Sequence, residues 1–282
     1  MQNLKMTKNN EWTKNSFAWK WVKYWRQPTR PIDQELRYIK GLLLKMMQKG
    51  AKPQVMILGS TSEYRDLLID LGLRGTIVDF SEENYHILSQ KMKHKDHYQK
   101  YEYFVRQPWQ KLKIDRKFNL VLGHFVLGVN PLNQWSIILK NVKRQLKNNG
   151  VFLTTSWVRL NDKKSNLKQV VNEYKKKWEK KYSLWEAMTT KIYLTAYNLA
   201  KEYMAYEDLC KVIEGGYKQG LISQKDYTYY LNCGFKEFDF KLVIPLQKKA
   251  LKLFNKYFPE VKIIYFKDYP SYLYMPLFAL KK

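Results

Sequence analysis

Two short apolar runs, each ending in a residue with a special property, constrain this chain more than any other feature. Val55-Met-Ile-Leu-Gly59 is continuously apolar and stops at a glycine, and Gly75-Thr-Ile-Val-Asp79 stops at an acid. Four consecutive apolar residues suit a strand covered on both faces, the condition of a parallel sheet. Glycine lets the backbone enter the φ > 0 region and approach a ligand closely. Asp79 ends the next strand twenty positions after Gly59. In an open parallel sheet the two strand ends lie side by side, so a nucleoside can sit over Gly59 while the Asp79 carboxylate accepts from ribose hydroxyls.

The 282 residues, 45% apolar and 16% aromatic, bury a sizeable core and exclude a disordered chain. The segment Met1 to Asn15 is polar, with no apolar stretch of signal-peptide type. The run around Phe118 to Val129 is interrupted by Asn119 and His124 and falls short of spanning length. These features predict a soluble, cytoplasmic protein without a membrane partner. Cys210 and Cys233 have no metal-ligand companions nearby, so neither a disulfide framework nor a metal site is expected.

A net charge of +26 admits polyanions, RNA among them, as partners. The 51 basic residues comprise 42 Lys and only 9 Arg, the side chain favoured for forked contacts to bases and phosphates. A solvated lysine-rich face is the competing explanation.

Asp33 is expected to cap a helix carrying Leu36, Ile39, Leu42, Leu43 and Met46, stopped by Gly50 and Pro53. After the first strand, residues 54 to 59, Ser60 and Glu63 have capping-box spacing ahead of Tyr64, Leu67, Leu68 and Leu71. Further helices are expected over about 82 to 94 and 133 to 147, with strands near 102 to 105, 117 to 123 and 151 to 157. Strands alternating with helices imply parallel crossovers in a doubly wound sheet. From Asn161 to about Phe235 no clear strand is visible, which predicts a helical insertion with a helix-turn-helix around Gly220 capped by Ser223. Val261 to Lys267 and Tyr272 to Leu280 read as a closing antiparallel hairpin. The expected fold is therefore a doubly wound, Rossmann-like α/β sheet, mostly parallel, with a C-terminal antiparallel hairpin and a helical insertion. Its expected parts are an N-terminal helical segment, 1 to 53, an α/β domain over 54 to 159 and 246 to 282, and an insertion over 160 to 245.

This order resembles the class I S-adenosylmethionine-dependent methyltransferases. Ile57-Leu-Gly-Ser-Thr-Ser-Glu-Tyr-Arg65 resembles a branch whose glycine loop is reduced to Leu-Gly-x-Thr-x-Glu-x-Arg, and Val78-Asp-Phe-Ser-Glu82 resembles the segment whose acid binds the cofactor ribose. Phe118-Asn-Leu-Val-Leu-Gly123 and Leu146-Lys-Asn-Asn-Gly-Val-Phe-Leu153 resemble the strand into the active site and the turn before strand five. The resemblance implies S-adenosylmethionine as cofactor, held by Gly59, Ser60, Thr61, Asp79, Phe80, Gln107, Trp109 and Gly123. The usual acid near the third strand is missing from Arg106-Gln-Pro-Trp109, where the Gln107 carbonyl and the Trp109 ring are the available adenine contacts.

It also implies methyl transfer to an acceptor, expected to be a small molecule, with RNA methylation or RNA binding by a catalytically inactive relative as the alternative. Trp25, Phe125 and Trp157 are candidate pocket aromatics, each, taken singly, more simply read as core. His124, beside the expected active-site strand end, is a candidate acid or base for the acceptor, or a structural histidine.

Overall fold

The computed structural model describes residues 22, 26 to 50, 52 to 232 and 241 to 282. Trp12, Trp19, Trp21, Trp25 and Cys233, all singled out in the sequence, lie outside the described residues.

Seven strands form the main sheet. In chain order they are β1 Val55–Leu58, β2 Gly75–Asp79, β3 Glu102–Arg106, β4 Phe118–His124, β5 Leu146–Thr155, β6 Glu260–Ile264 and β7 Leu277–Lys281. Their spatial order is β3-β2-β1-β4-β5-β7-β6. The first five are mutually parallel, and β7 runs antiparallel to both β5 and β6. The order reverses between β1 and β4, which opens a crevice at their carboxyl ends. Among the described residues a second, three-stranded antiparallel sheet is made by β8 Tyr197–Asn198, β9 Tyr203–Ala205 and β10 Lys241–Leu242.

Alternation along the buried strands sends residues to two separate cores. Val55, Ile57, Ile77, Leu120 and Leu122 pack with Ile39, Leu43, Tyr64 and Tyr85 on one face. That face is covered by α1 Asp33–Met47, α2 Ser62–Asp70 and α3 Glu82–Ser89. Met56, Leu58, Val121 and Phe152 pack with Trp135, Ile138, Phe254 and Phe278 on the other. There the cover is α4 Leu132–Gln145 and α9 Gln247–Tyr257.

Between β5 and α9 lie α5 Leu167–Lys177, α6 Leu184–Thr195, α7 Tyr206–Lys218 and α8 Gln224–Asn232. They build a third core with Ile32, Phe125 and Trp157, and so stand over the carboxyl ends of β4 and β5. Gly220 at φ +69° ends the α7 turn, and Ser223 caps α8 through the Asp226 amide at 3.1 Å, as the sequence predicts.

Several local expectations are corrected. Asp33 is the first helical residue of α1, behind Ile32 at the cap. The stretch expected to lack strands contains β8 and β9. The Asn148-Asn-Gly150 turn is absorbed into β5, with Asn149 at φ 59° and a register shift against β4 between Phe118 and Leu120.

Candidate functional site

The α2 start lies directly behind the β1 end. Gly59 sits at φ +82° and its amide donates to the Val78 carbonyl at 2.8 Å, tying the turn to β2. A Cβ there would meet only the Trp109 Cζ2 atom, at 3.7 Å, so the conformation rather than space demands glycine. At Gly123 the reverse holds: an added Cβ would lie 2.7 Å from Val126 Cγ2 and 3.2 Å from Phe152 Cε2. That glycine serves packing.

Ser60 does not cap α2. Thr61 occupies the cap position, and the Ser60 hydroxyl donates to Asp79 Oδ2 at 2.7 Å. The Ser81 amide donates to Asp79 Oδ1 at 3.1 Å, while the Ser81 hydroxyl caps α3 through the Asn84 amide. Asp79 is only 4% exposed. Burial lifts its carboxyl to about 6, against the opposing pull of hydrogen bonds from Ser60, Ser81 and Phe80 and of the Arg65 charge.

Around this pair, Trp109 is buried and donates its indole N–H to the Val78 carbonyl at 3.0 Å; Phe80 meets its ring edge-on at 6.5 Å. The Gln107 amide donates to the Asp79 carbonyl, and the Gln107 side-chain carbonyl accepts from the Lys113 amide at 3.0 Å. Gly59, Ser60, Thr61, Asp79, Phe80, Gln107 and Trp109 thus form one neighbourhood at the ends of β1, β2 and β3.

His124 lies across the switch point. Its side chain is 3% exposed. Nε2 is 3.1 Å from the Pro28 carbonyl, which only accepts, so this nitrogen carries the hydrogen. Nδ1 is 3.4 Å from Glu35 Oε1, without a hydrogen bond. Tyr64 donates its hydroxyl to the same Glu35 oxygen, and burial and that carboxylate push the Tyr64 phenol well up. Residues 28 to 35 are therefore fastened over the β4 end, a contact no local pattern announces.

Phe125 follows at φ 55°, a strained value for a bulky side chain, held by its amide to the Thr155 carbonyl at 2.9 Å. Its ring stacks on Trp157 at 3.5 Å and 3°. Both rings are buried in the core beneath α5 to α8, so neither presents an open face. The sequence reading missed the polar atoms beside them: Thr155 Oγ1, Ser156 Oγ and Trp157 Nε1 are buried without a hydrogen-bond partner among the described residues. The available signal was Thr154-Thr-Ser156, three hydroxyls closing an apolar strand.

Among the described residues no group of His, Cys, Asp or Glu could hold a metal ion, and no helix is long and apolar enough to cross a membrane. No family model and no curated protein matches the sequence. Among solved structures, the chain is similar over 95% of its length to a putative Zn-dependent alcohol dehydrogenase from Rhodobacter sphaeroides. That match covers 99% of the other chain, at 14% identity and a TM-score of 0.53. It is also similar over 50% of its length to the N-methyltransferase NodS from Bradyrhizobium japonicum WM9, solved with S-adenosyl-L-homocysteine, of which 74% is covered, at 15% identity and a TM-score of 0.36. A third likeness, over 43% of this chain, is to the glycopeptide N-methyltransferase MtfA solved with S-adenosyl-L-methionine, at 12% identity and a TM-score of 0.34. The chain spans about half of that enzyme, 55% of its length. At these identities likeness speaks to fold alone, and the sheet order and packing make the chain a Rossmann-like α/β protein with a closing antiparallel hairpin.

Proposed function

We propose that the chain is an S-adenosylmethionine-dependent methyltransferase acting on a small-molecule acceptor. The observation that carries this reading is the buried Asp79 carboxylate, joined to the Gly59 turn through Ser60, at the edge of the switch-point crevice. The fit is chemical. A carboxylate lifted to about 6 by burial gains from further donors, and with Ser60, Ser81 and Phe80 already donating, its roughly four lone-pair sites are not all filled. The cis-diol of a ribose supplies those donors. The α2 start adds backbone amides that favour the carboxylate of an amino-acid moiety. Trp109 walls the same turn with an apolar ring.

Bound there, the cofactor supplies an activated methyl on a sulfonium centre. The protein's task is then alignment and exclusion of water. The helices α5 to α8 are proposed to close the acceptor region over the ends of β4 and β5, where the Thr155, Ser156 and Trp157 polar atoms orient an acceptor with hydrogen-bonding groups. His124, with Nε2 on Pro28 and Nδ1 on Glu35, is proposed to position the covering segment.

Isothermal calorimetry with S-adenosylmethionine and S-adenosylhomocysteine tests the reading. Binding of both, weakened by roughly 1.5–3 kcal/mol in Asp79→Ala, is the expected result. Absence of binding by the wild-type chain overturns it.

A further inference from the structure

The amino ends of the strands, at the opposite edge of the sheet from Gly59 and Asp79, form an open groove of about 1120 Å³. Its wall carries Lys52, Arg74, Lys100, Arg116, Lys117 and Lys147. The only acid lining it among the described residues is Glu102. That carboxylate is already matched, because Arg65 donates to both of its oxygens at 2.8 Å from the protein side and Tyr85 adds a third bond. Among the described residues lining the groove, cations thus outnumber acids six to one.

A second, independent feature lies in the same groove. Tyr103, on the sheet-edge strand β3, is 63% exposed, and Tyr101 lines the groove two residues earlier. Alternation turns Glu102 and Phe104 inward, onto Arg65 and Tyr85, and leaves Tyr103 on the outer side, while Tyr101 lines the groove with part of its ring packed against the core. Cationic side chains tracking a backbone, with aromatic faces set between them, are the physical requirement for binding unpaired nucleotides. A duplex offers phosphates but no free base faces. Four of the six cations are Lys, which act on phosphate as point charges without the fork geometry that reads base edges. Sequence-tolerant binding follows.

We infer that this groove binds single-stranded nucleic acid, with phosphates on the lysine wall and a base stacked on Tyr103. It gives a part of the net charge of +26 a location distinct from the cofactor crevice. The site does not depend on methyl transfer, and each can fail without the other.

The test is fluorescence anisotropy with a labelled 20-mer of oligouridylate and a labelled duplex of equal length, from 50 to 300 mM salt. The groove variant exchanges Lys52, Arg74, Lys100 and Lys147 for Gln. Its control exchanges Lys175, Lys176, Lys180 and Lys181 for Gln, an equal change of charge on another surface. The groove variant is expected to bind the single strand at least tenfold more weakly than the control does, and to lower the salt slope by about 2 to 3, near 0.7 for each phosphate that is no longer neutralised. Tyr103→Ala is expected to weaken single-strand binding roughly fivefold or more with the slope unchanged. Calorimetry with S-adenosylmethionine reads the other site in the same variants and is expected to be unmoved. Equal losses in groove variant and control, an unaffected Tyr103→Ala, or no single-strand binding by the wild-type chain at 50 mM salt overturns the inference.

Discussion

The Ser60 hydroxyl donates to the Asp79 carboxylate at 2.7 Å, across the join between the first and second strands. This bond keeps a buried acid in place without neutralising it. Raised to about 6 from an ordinary 3.8, the ionised carboxyl costs the ligand-free fold roughly 3 kcal/mol at neutral pH. The cost is absent below pH 4, grows between pH 4 and 6, and is complete above. Asp79→Asn keeps an acceptor for the Ser81 amide and offers a donor to Ser60. It is expected to stabilise the ligand-free protein at pH 7.5 in urea unfolding, with the gain vanishing towards pH 4. A gain that does not change with pH counts against the burial argument.

Cofactor affinity carries the same proton. In the proposed site ribose hydroxyls donate to the ionised form, so binding would draw the carboxyl down and release a proton. Affinity measured by calorimetry is expected to be level above about pH 7 and to fall towards tenfold per pH unit below 6. In Asp79→Asn the profile is expected to be flat. A wild-type profile that is flat from pH 5 to 8 removes the ribose assignment.

The two crevice glycines are expected to respond differently. Gly59→Ala meets only an ordinary contact with Trp109 but a disfavoured φ of +82°, so it costs about 1–2 kcal/mol that no neighbouring substitution recovers. Gly123→Ala drives a methyl to within 2.7 Å of Val126 and costs about 1–3 kcal/mol. Combined with Val126→Ala it is expected to cost less than the two single changes summed. Additive urea-unfolding energies in that cycle contradict the packing reading.

How much of this was legible follows from distance along the chain. Val55 to Leu58, Gly59 and Asp79 carry their meaning in adjacent residues, and the strand-helix alternation they begin is read directly from apolar periodicity. The small sheet escaped because its strands are two or three residues long, too short to leave a period. The Ser60 and Glu63 spacing fits a capping box, yet a buried carboxylate competed for the Ser60 hydroxyl and won. Glu35, Tyr64 and His124 come together from positions far apart, and no window of sequence contains their contact.

Arg65 ends the glycine-loop resemblance, and its role in the structure is mechanical. Fully buried, it donates to Glu102 twice and to Ser89, and lies over the Tyr85 ring at 4.5 Å, joining α2, α3 and β3. Glu102→Ala strands that guanidinium and is expected to cost about 3–5 kcal/mol in urea unfolding. A cost under about 1 kcal/mol would show that water or Tyr85 replaces the carboxylate.

His124 offers the sharpest separation between holding and reacting. Its Nε2–H fastens Pro28, and its Nδ1 faces Glu35, so neither nitrogen is open to an acceptor while residues 28 to 35 stay in place. Glutamine can place an amide N–H near the position of that Nε2 but has no nitrogen able to take up a proton. His124→Gln is therefore expected to keep tryptic resistance at Arg26, cofactor affinity within about twofold and turnover within a few-fold. His124→Ala, which releases the segment, is expected to abolish both resistance and turnover. The opposite outcome is equally readable: a Gln variant that keeps its segment closed but slows by roughly 10²–10⁴ identifies the imidazole as the acceptor's acid or base.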